Sequence, residues 1–218
     1  MGGVGWRGGG LTTDRFGAPD GAMSRALAHA SVAGLVSRLN AHAPVDAIPS
    51  PASRMAAVAA VLRVTSEPEL LFIKRAEVAH DPWSGHIAFP GGRMEVSDVS
   101  LEATAVRETF EELAIDLHDG HILGRLDDIA PRSRALPPVI VRPFVALVQS
   151  DVQLVPSREV AAAFWVPLAY LQHADARVEH VLQVNGAAAR FPAYRVAEYV
   201  VWGLTERIVR QLLSLVQP

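Results

Sequence analysis

The chain has 218 residues, half of them hydrophobic, with 20 Lys and Arg against 23 Asp and Glu for a net charge of −3. That length and apolar content suffice for one core burying about 70% of the unfolded surface, whereas the charge balance excludes a global basic field for holding nucleic acid. Cysteine is absent, which excludes disulfides, thiolate nucleophiles and zinc–thiolate sites.

The opening segment, MGGVGWRGGGLTTDRFGAPDGA, is rich in glycine and poor in large apolar side chains, so residues 1–22 read as a flexible tail. It lacks a charged-then-apolar signal pattern, and Trp6 stands where a myristoylation signal needs Ser or Thr. Residues 23–218 read as a single domain. Ser24 is the expected cap of a helix over 24–42, in which Leu27, Val32, Leu35, Val36 and Leu39 recur at helical spacing. A proline-punctuated linker, APVDAIPSPAS, leads to two predicted strands, MAAVAAVLRV and ELLFIKR, flanking a turn at Ser66 to Pro68. HILGRLDDIA and VIVRPFVALV read as two more strands, the second largely buried because few polar residues interrupt it. SREVAAAFWVPLAYLQ reads as a short helix broken at Pro167. EHVLQV and RFPAYRV are short strand candidates before a closing helix over about 200–216. No stretch approaches the roughly 20 apolar residues that span a bilayer, so a soluble, cytoplasmic protein is expected. Strands and helices mix without regular alternation, which argues against a doubly wound fold.

Between the second and third strands lies GHIAFPGGRMEVSDVSLEATAVRETFEELAI. Gly91 and Gly92 permit backbone conformations closed to other residues, Pro90 stiffens the entry and Phe89 can anchor the turn in the core. Ser100 or a neighbour is the expected cap of the following helix. At about 100° per residue, with Glu108 at zero, Glu112 falls near 40° and Glu111 near 300°, while Ala103, Val106, Phe110 and Leu113 cluster roughly opposite. One face is therefore predicted acidic and the other core. Like charges at these spacings repel; Arg107 offsets part of that, and the remaining carboxylates are the hard oxygen ligands a divalent cation requires. An isolated ExxEE reads as an ordinary solvated surface, but its position directly after a rigid glycine turn makes the pair specific.

The stretch resembles the Nudix hydrolases, whose box reads G-x5-E-x7-R-E-U-x-E-E-x-G-U, with U a large apolar residue. Counting from Gly92, Asp98 takes the place of the first Glu, and eight rather than seven residues precede Arg107 and Glu108. Thr109 occupies an apolar position, Glu111 and Glu112 match, Ala114 replaces the last Gly, and Ile115 closes the pattern. GHIAFPGGR, EVAAAFWVPLAYL and WGLTERIV are similar to the coenzyme A pyrophosphatase branch, and together these resemblances cover most of residues 69 to 214. Of that branch's upstream signature, LLTxR[SA]x3Rx3G, the chain keeps Arg75 and Ala76, lacks the Thr, has His80 at the second Arg position and carries one extra residue before Gly85.

The resemblance implies a Nudix fold, an α+β arrangement in which a mixed β-sheet lies between helices as an α-β-α sandwich, here with an extra N-terminal helix. It implies Glu108, Glu111 and Glu112 as ligands of Mg²⁺ or Mn²⁺, with Glu111 also orienting water and Arg107 holding the helix carboxylates. Arg75, Gly91 and Gly92 would meet the substrate. Glu159 could supply a further carboxylate, although a Glu in a first helical turn is more commonly a partner of the helix dipole, and Arg132 and Arg134 sit in a loop that could help. His80 and His86 read as loop residues, and Trp165 and Trp202 as core or interface. The implied activity is hydrolysis of a diphosphate bond in a nucleoside diphosphate linked to another moiety, coenzyme A first in line, in an enzyme that acts on a small molecule, engages neither membrane nor nucleic acid, and is compatible with a homodimer. The alternatives are ADP-ribose, a dinucleotide or a capped RNA end as substrate, and, from a different class, a ligand-binding module without turnover.

Overall fold

The computed structural model describes residues 21–117, 122–131, 136–184 and 187–216. Its organising element is the central strand β1 (Arg54–Val64). The run MAAVAAVLRV has no charge until Arg63, so both faces of the strand can be buried. Ala57, Ala59 and Val61 enter one core, and Ala60 and Leu62 enter another on the opposite side. Along one edge β1 pairs in parallel with β6 (Val139–Leu147), from Arg54 opposite Val139 to Leu62 opposite Leu147. Beyond β6 lies β5 (Ile122–Arg125), antiparallel.

The other edge of β1 is forked. Its last residues pair with β2 (Pro68–Arg75), Leu62 opposite Leu70, and its earlier residues pair with the short β4 (Gly91–Arg93), Val58 opposite Gly91. The far end of β2 pairs in turn with β3 (Ile87–Ala88), Ile73 opposite Ala88, and its whole length with β7 (Val160–Pro167). The segment β3–Phe89–Pro90–β4 is thus wedged where β1 and β2 diverge.

Helix α3 (Leu101–Leu113) covers one face of this seven-stranded sheet, packing Ala105, Val106 and Leu113 with Ala59, Val61, Leu71 and Ile73. The opposite face carries α2 (Ala30–Ala41) and the closing α5 (Gly203–Val216), whose Leu35, Leu39, Ile208, Val209 and Leu212 meet Leu62, Leu70 and Phe72. This is the expected α-β-α sandwich around a mixed sheet. A second, three-stranded antiparallel sheet of β8 (Arg177–Val184), β9 (Ala187–Val196) and β10 (Tyr199–Trp202) adds Tyr194, Val196 and Val201 to the α5 side.

Three local expectations change. The helix expected over 24–42 is two helices, α1 (Gly21–Ala28) and α2, parted at His29, whose backbone is extended; of the expected tail, only residues 21 and 22 are described, and they begin α1. The segment read as a helix before Pro167 is strand β7, and only Leu168–Gln172, α4, is helical after it. Its alanines favour helix, but the open edge of β2 supplies a ladder from Glu69 opposite Pro167 to Arg75 opposite Val160, and tertiary pairing overrides the propensity. The closing helix starts at Gly203, because residues from Tyr199 to Trp202 pair with β9. No helix among the described residues is long and apolar enough to cross a membrane.

Candidate active site

The wedge is fastened on all sides. Phe89 is buried and stacks on Phe72 at 5.1 Å between ring centroids. The Pro90 carbonyl accepts from the Ala59 amide at 2.9 Å, and the His86 carbonyl from the Arg75 amide at 3.0 Å. The two glycines then do different things. A Cβ at Gly91 (φ 150°) would run into the backbone of Ala57 and Val58, so only glycine lets β4 lie against β1. A Cβ at Gly92 would occupy the space of the Glu108 carboxylate. One glycine closes the sheet and the other admits an acid side chain from α3.

Helix α3 starts where the sequence places it. The Ser100 side chain accepts from the Ala103 amide at 3.1 Å as N-cap. The helix ends at Ala114, which takes the left-handed conformation (φ 56°, ψ 28°) and donates its amide to Phe110. Asp98 lies just ahead of the helix with its side chain 5% exposed. It accepts from the Glu95 amide, from the Thr104 hydroxyl and, through both oxygens, from Nε and Nη2 of Arg107, each at 2.9 Å. The Arg107 guanidinium holds the Asp98 carboxyl well below the usual carboxylate range, and Asp98 raises Arg107 in return. Fixed in this way, Arg107 turns Nη1 to Glu108 at 3.0 Å and to Glu111 at 3.1 Å.

The acidic face itself differs from the wheel. Glu112 is only 4% exposed and accepts from the Gly91 amide at 2.9 Å, whereas Phe110, expected in the core, is 56% exposed. Thr104, Ala105 and Thr109 are buried alongside Glu112, and the Thr109 hydroxyl is satisfied by the Ala105 carbonyl at 2.7 Å. The helix is therefore rolled so that its buried arc is centred close to Glu112, against the β4 turn. Burial pushes the Glu112 carboxyl up to about 7; the Gly91 amide and the charge of Arg75 oppose that, while Glu108 and Glu159 add to it. Glu108 is raised too, chiefly by burial, against its hydrogen bond from Arg107. Glu111 is exposed. Of the three predicted helix carboxylates, two are brought to the glycine turn and the third faces outward.

Glu159 is not in a helix, so the dipole account of it falls. It immediately precedes β7, in a loop fastened to the end of α3: Val155 and Ser157 donate their amides to the carbonyls of Leu113 and Glu112 at 3.0 and 2.8 Å. Its charge acts on both Glu108 and Glu112. Arg75, at the end of β2, donates from Nη2 to Asp81 at 3.3 Å; its Nε is buried with no hydrogen-bond partner among the described residues, and its charge acts on Glu112 and on His86. Arg132 and Arg134 lie outside the described residues.

As placed, no three acidic or imidazole side chains among the described residues are close enough together to hold a metal ion; Glu108 and Glu111 both lean on Arg107. The chemistry nevertheless fits a hard divalent cation. The donors are carboxylate oxygens, burial and mutual repulsion disfavour their charges, and Gly92 leaves room for Glu108. The sequence did not disclose the Gly91 amide as the partner of Glu112, nor Asp98 as the buried anchor of Arg107; only the matched box positions hinted at the latter.

A family model for the NUDIX domain matches residues 53–183. The chain is 33% identical over 172 residues to the uncharacterized Nudix hydrolase NudL of Yersinia pestis (strain Pestoides F), an alignment covering 77% of this chain and 82% of the relative. The same figures hold for NudL of Yersinia pseudotuberculosis serotype O:1b. Among solved structures, a MutT/nudix family protein from Enterococcus faecalis superposes with a TM-score of 0.55 at 15% identity, covering 84% of this chain and 68% of that one.

Proposed function

The chain belongs to the Nudix hydrolases, and from that premise we propose that it cleaves the diphosphate bond of a nucleoside diphosphate linked to another moiety, coenzyme A being the substrate. The observation that carries the diphosphatase reading is the delivery of Glu108 and Glu112, both with their charged forms disfavoured, to one glycine turn. Mg²⁺ or Mn²⁺ held by Glu108 and Glu112, with Glu159 or Glu111 beside them, would neutralise the diphosphate and acidify the attacking water.

The chain's own residues set the rest. Arg107, clamped by Asp98, fixes the directions of Glu108 and Glu111 and acts as a positioning residue. Arg75 offers the diphosphate a partly exposed guanidinium, steadied through Nη2 by Asp81 at 3.3 Å. Gly91 lets the turn close on β1, and Gly92 leaves the space that the Glu108 carboxylate occupies. Water adds to one phosphorus, the bridging P–O bond breaks, and two monophosphates leave. Glu159, whose charge acts on both Glu108 and Glu112, is the better placed of the two remaining carboxylates to take the proton; both are exposed, but Glu111 is held by Arg107.

Coenzyme A is supported by GHIAFPGGR and WGLTERIV, two segments that meet in space: the Thr205 hydroxyl, in the first turn of α5, donates to the Ile87 carbonyl in β3 at 3.0 Å. The test is a panel of diphosphate compounds with Mg²⁺ and Mn²⁺, products identified by mass. Coenzyme A should give 4′-phosphopantetheine and 3′,5′-ADP and should exceed ADP-ribose and dinucleotides in kcat/KM. A tenfold preference for ADP-ribose, about 1.4 kcal/mol in transition-state stabilisation, would remove coenzyme A and leave the diphosphatase.

A further inference from the structure

We infer that His86, His180, Phe191 and Trp202 form the subsite that receives the planar base of the nucleoside diphosphate; the inference rests on the diphosphatase reading above. His180 and Phe191 are directly opposite each other on β8 and β9, and Trp202 on β10 is opposite Ala193, two residues along β9 from Phe191. Side chains two apart on a strand share a face, so the small sheet turns three rings the same way. His86, entering β3 from the neighbouring sheet, meets them. Its ring centroid lies 5.0 Å from that of Trp202, with His180 at 4.9 Å and Phe191 at 5.8 Å from the same indole. The ring planes are tilted by 38° to 54° rather than stacked flat. None of the four residues is fully buried, unlike Phe72 and Phe89, which stack inside the core.

The position of this cluster argues for the same ligand as the acidic site. His86 is five residues before Gly91 in an extended segment, at most about 17 Å along the chain. Arg75 lies against the start of this segment: its amide binds the His86 carbonyl, and its charge reaches both His86 and Glu112. A carboxylate from α3 at Gly91, Arg75 at the end of β2 and a partly exposed ring cluster around His86 thus all sit against the one segment from His86 to Gly91. A nucleoside diphosphate has matching parts in the same order, a metal-binding diphosphate and then a flat base. Burial favours the neutral form of the His86 imidazole, which suits it to stack rather than to bind phosphate.

The test compares two ligands that cannot be cut at the P–C–P bridge, α,β-methylene-ADP and the base-free methylenediphosphonate, by calorimetry in Mg²⁺. Wild-type protein should bind the nucleotide more tightly. Phe191→Ala and His180→Ala should each weaken the nucleotide by about tenfold, the size of a lost stacking contact, and leave methylenediphosphonate unchanged. Phe191→Leu, which keeps the apolar volume without the ring, should behave like Phe191→Ala and covers the case in which the alanine variant misfolds. Equal losses for both ligands, no loss for either, or a wild type that binds the nucleotide no better than the base-free compound would overturn the subsite. So would sedimentation showing that the variants split a dimer while nucleotide affinity holds, since the face would then be an interface between copies. A wild type that binds the nucleotide through these rings but cuts nothing in the diphosphate panel would instead overturn the diphosphatase reading and spare the subsite.

Discussion

Glu112→Gln separates the cost of the site from its use. The Glu112 carboxyl is raised from 4.5 to about 7 in the folded chain, first by burial. At 1.36 kcal/mol per pH unit the difference corresponds to about 3 kcal/mol. Because the folded value lies above the unfolded one, the folded state binds more protons between them. Stability therefore falls as pH rises from 4.5 to about 7, and the full cost is present above that. Glutamine keeps an oxygen to accept from the Gly91 amide and removes the charge. Without metal at pH 8, the variant should be more stable than wild type by about 1 to 3 kcal/mol, roughly 3 to 10 °C in Tm for a chain of this size. The gap should close as pH approaches 4.5. Mg²⁺ should raise the Tm of the wild type far more than that of the variant, and turnover of the variant should fall by about 10² or more, as for the loss of one transition-state stabiliser. Thermal melts in chelator across pH, repeated with Mg²⁺, read all of this. A variant no more stable than wild type at pH 8 would refute the buried-charge reasoning; near-normal turnover at saturating Mg²⁺ would refute Glu112 as a ligand.

Ala114→Gly should raise stability by about 1 kcal/mol in denaturant unfolding, because the left-handed cap of α3 then carries no Cβ; a loss would show that the cap is held by something other than local conformation. Asp98→Asn should cost about 2 kcal/mol through the fork to Arg107 and should lower kcat with the fold intact by circular dichroism. Since the Asp98 carboxyl is held low, its contribution is present above its ordinary value of 3.8 and is lost only as pH falls below that, so the stability gap to wild type should be constant near neutrality. Glu159→Gln should cut turnover by about 10² without moving the metal-free Tm by more than a degree or two; unchanged turnover would remove Glu159 from the site.

Much of this site was legible because its determinants are local. The cap at Ser100, the extent of α3 and the turn at Gly91 and Gly92 depend on neighbours in sequence, and each lies where pattern and propensity put it. What misled was contact across the chain. The wheel assumes that charges face water, and nothing within Glu108 to Leu113 reveals an amide on β4 positioned to bury Glu112. EVAAAFWV carries helix-favouring alanines, and its strand state follows from the free edge of β2, some ninety residues earlier. The ring cluster around Trp202 escaped for the same reason: its four members come from the residue before β3 and from β8, β9 and β10, and no single window of sequence contains them.

The parallel pair at the centre of the sheet sets when the site can exist. Arg54 lies opposite Val139, so the glycine turn, α3 and its carboxylates all belong to the loop that this pairing closes. Closing so long a loop is entropically slow, and parallel ladders reward it only once the crossover is in place. The helix can form early by itself, but the groove into which Glu112 sinks is made of β1 and β4, and β1 finds its second edge only when β6 arrives. Catalytic competence should therefore return on refolding with the final cooperative phase, in step with native burial of β6, and helical signal alone should precede it.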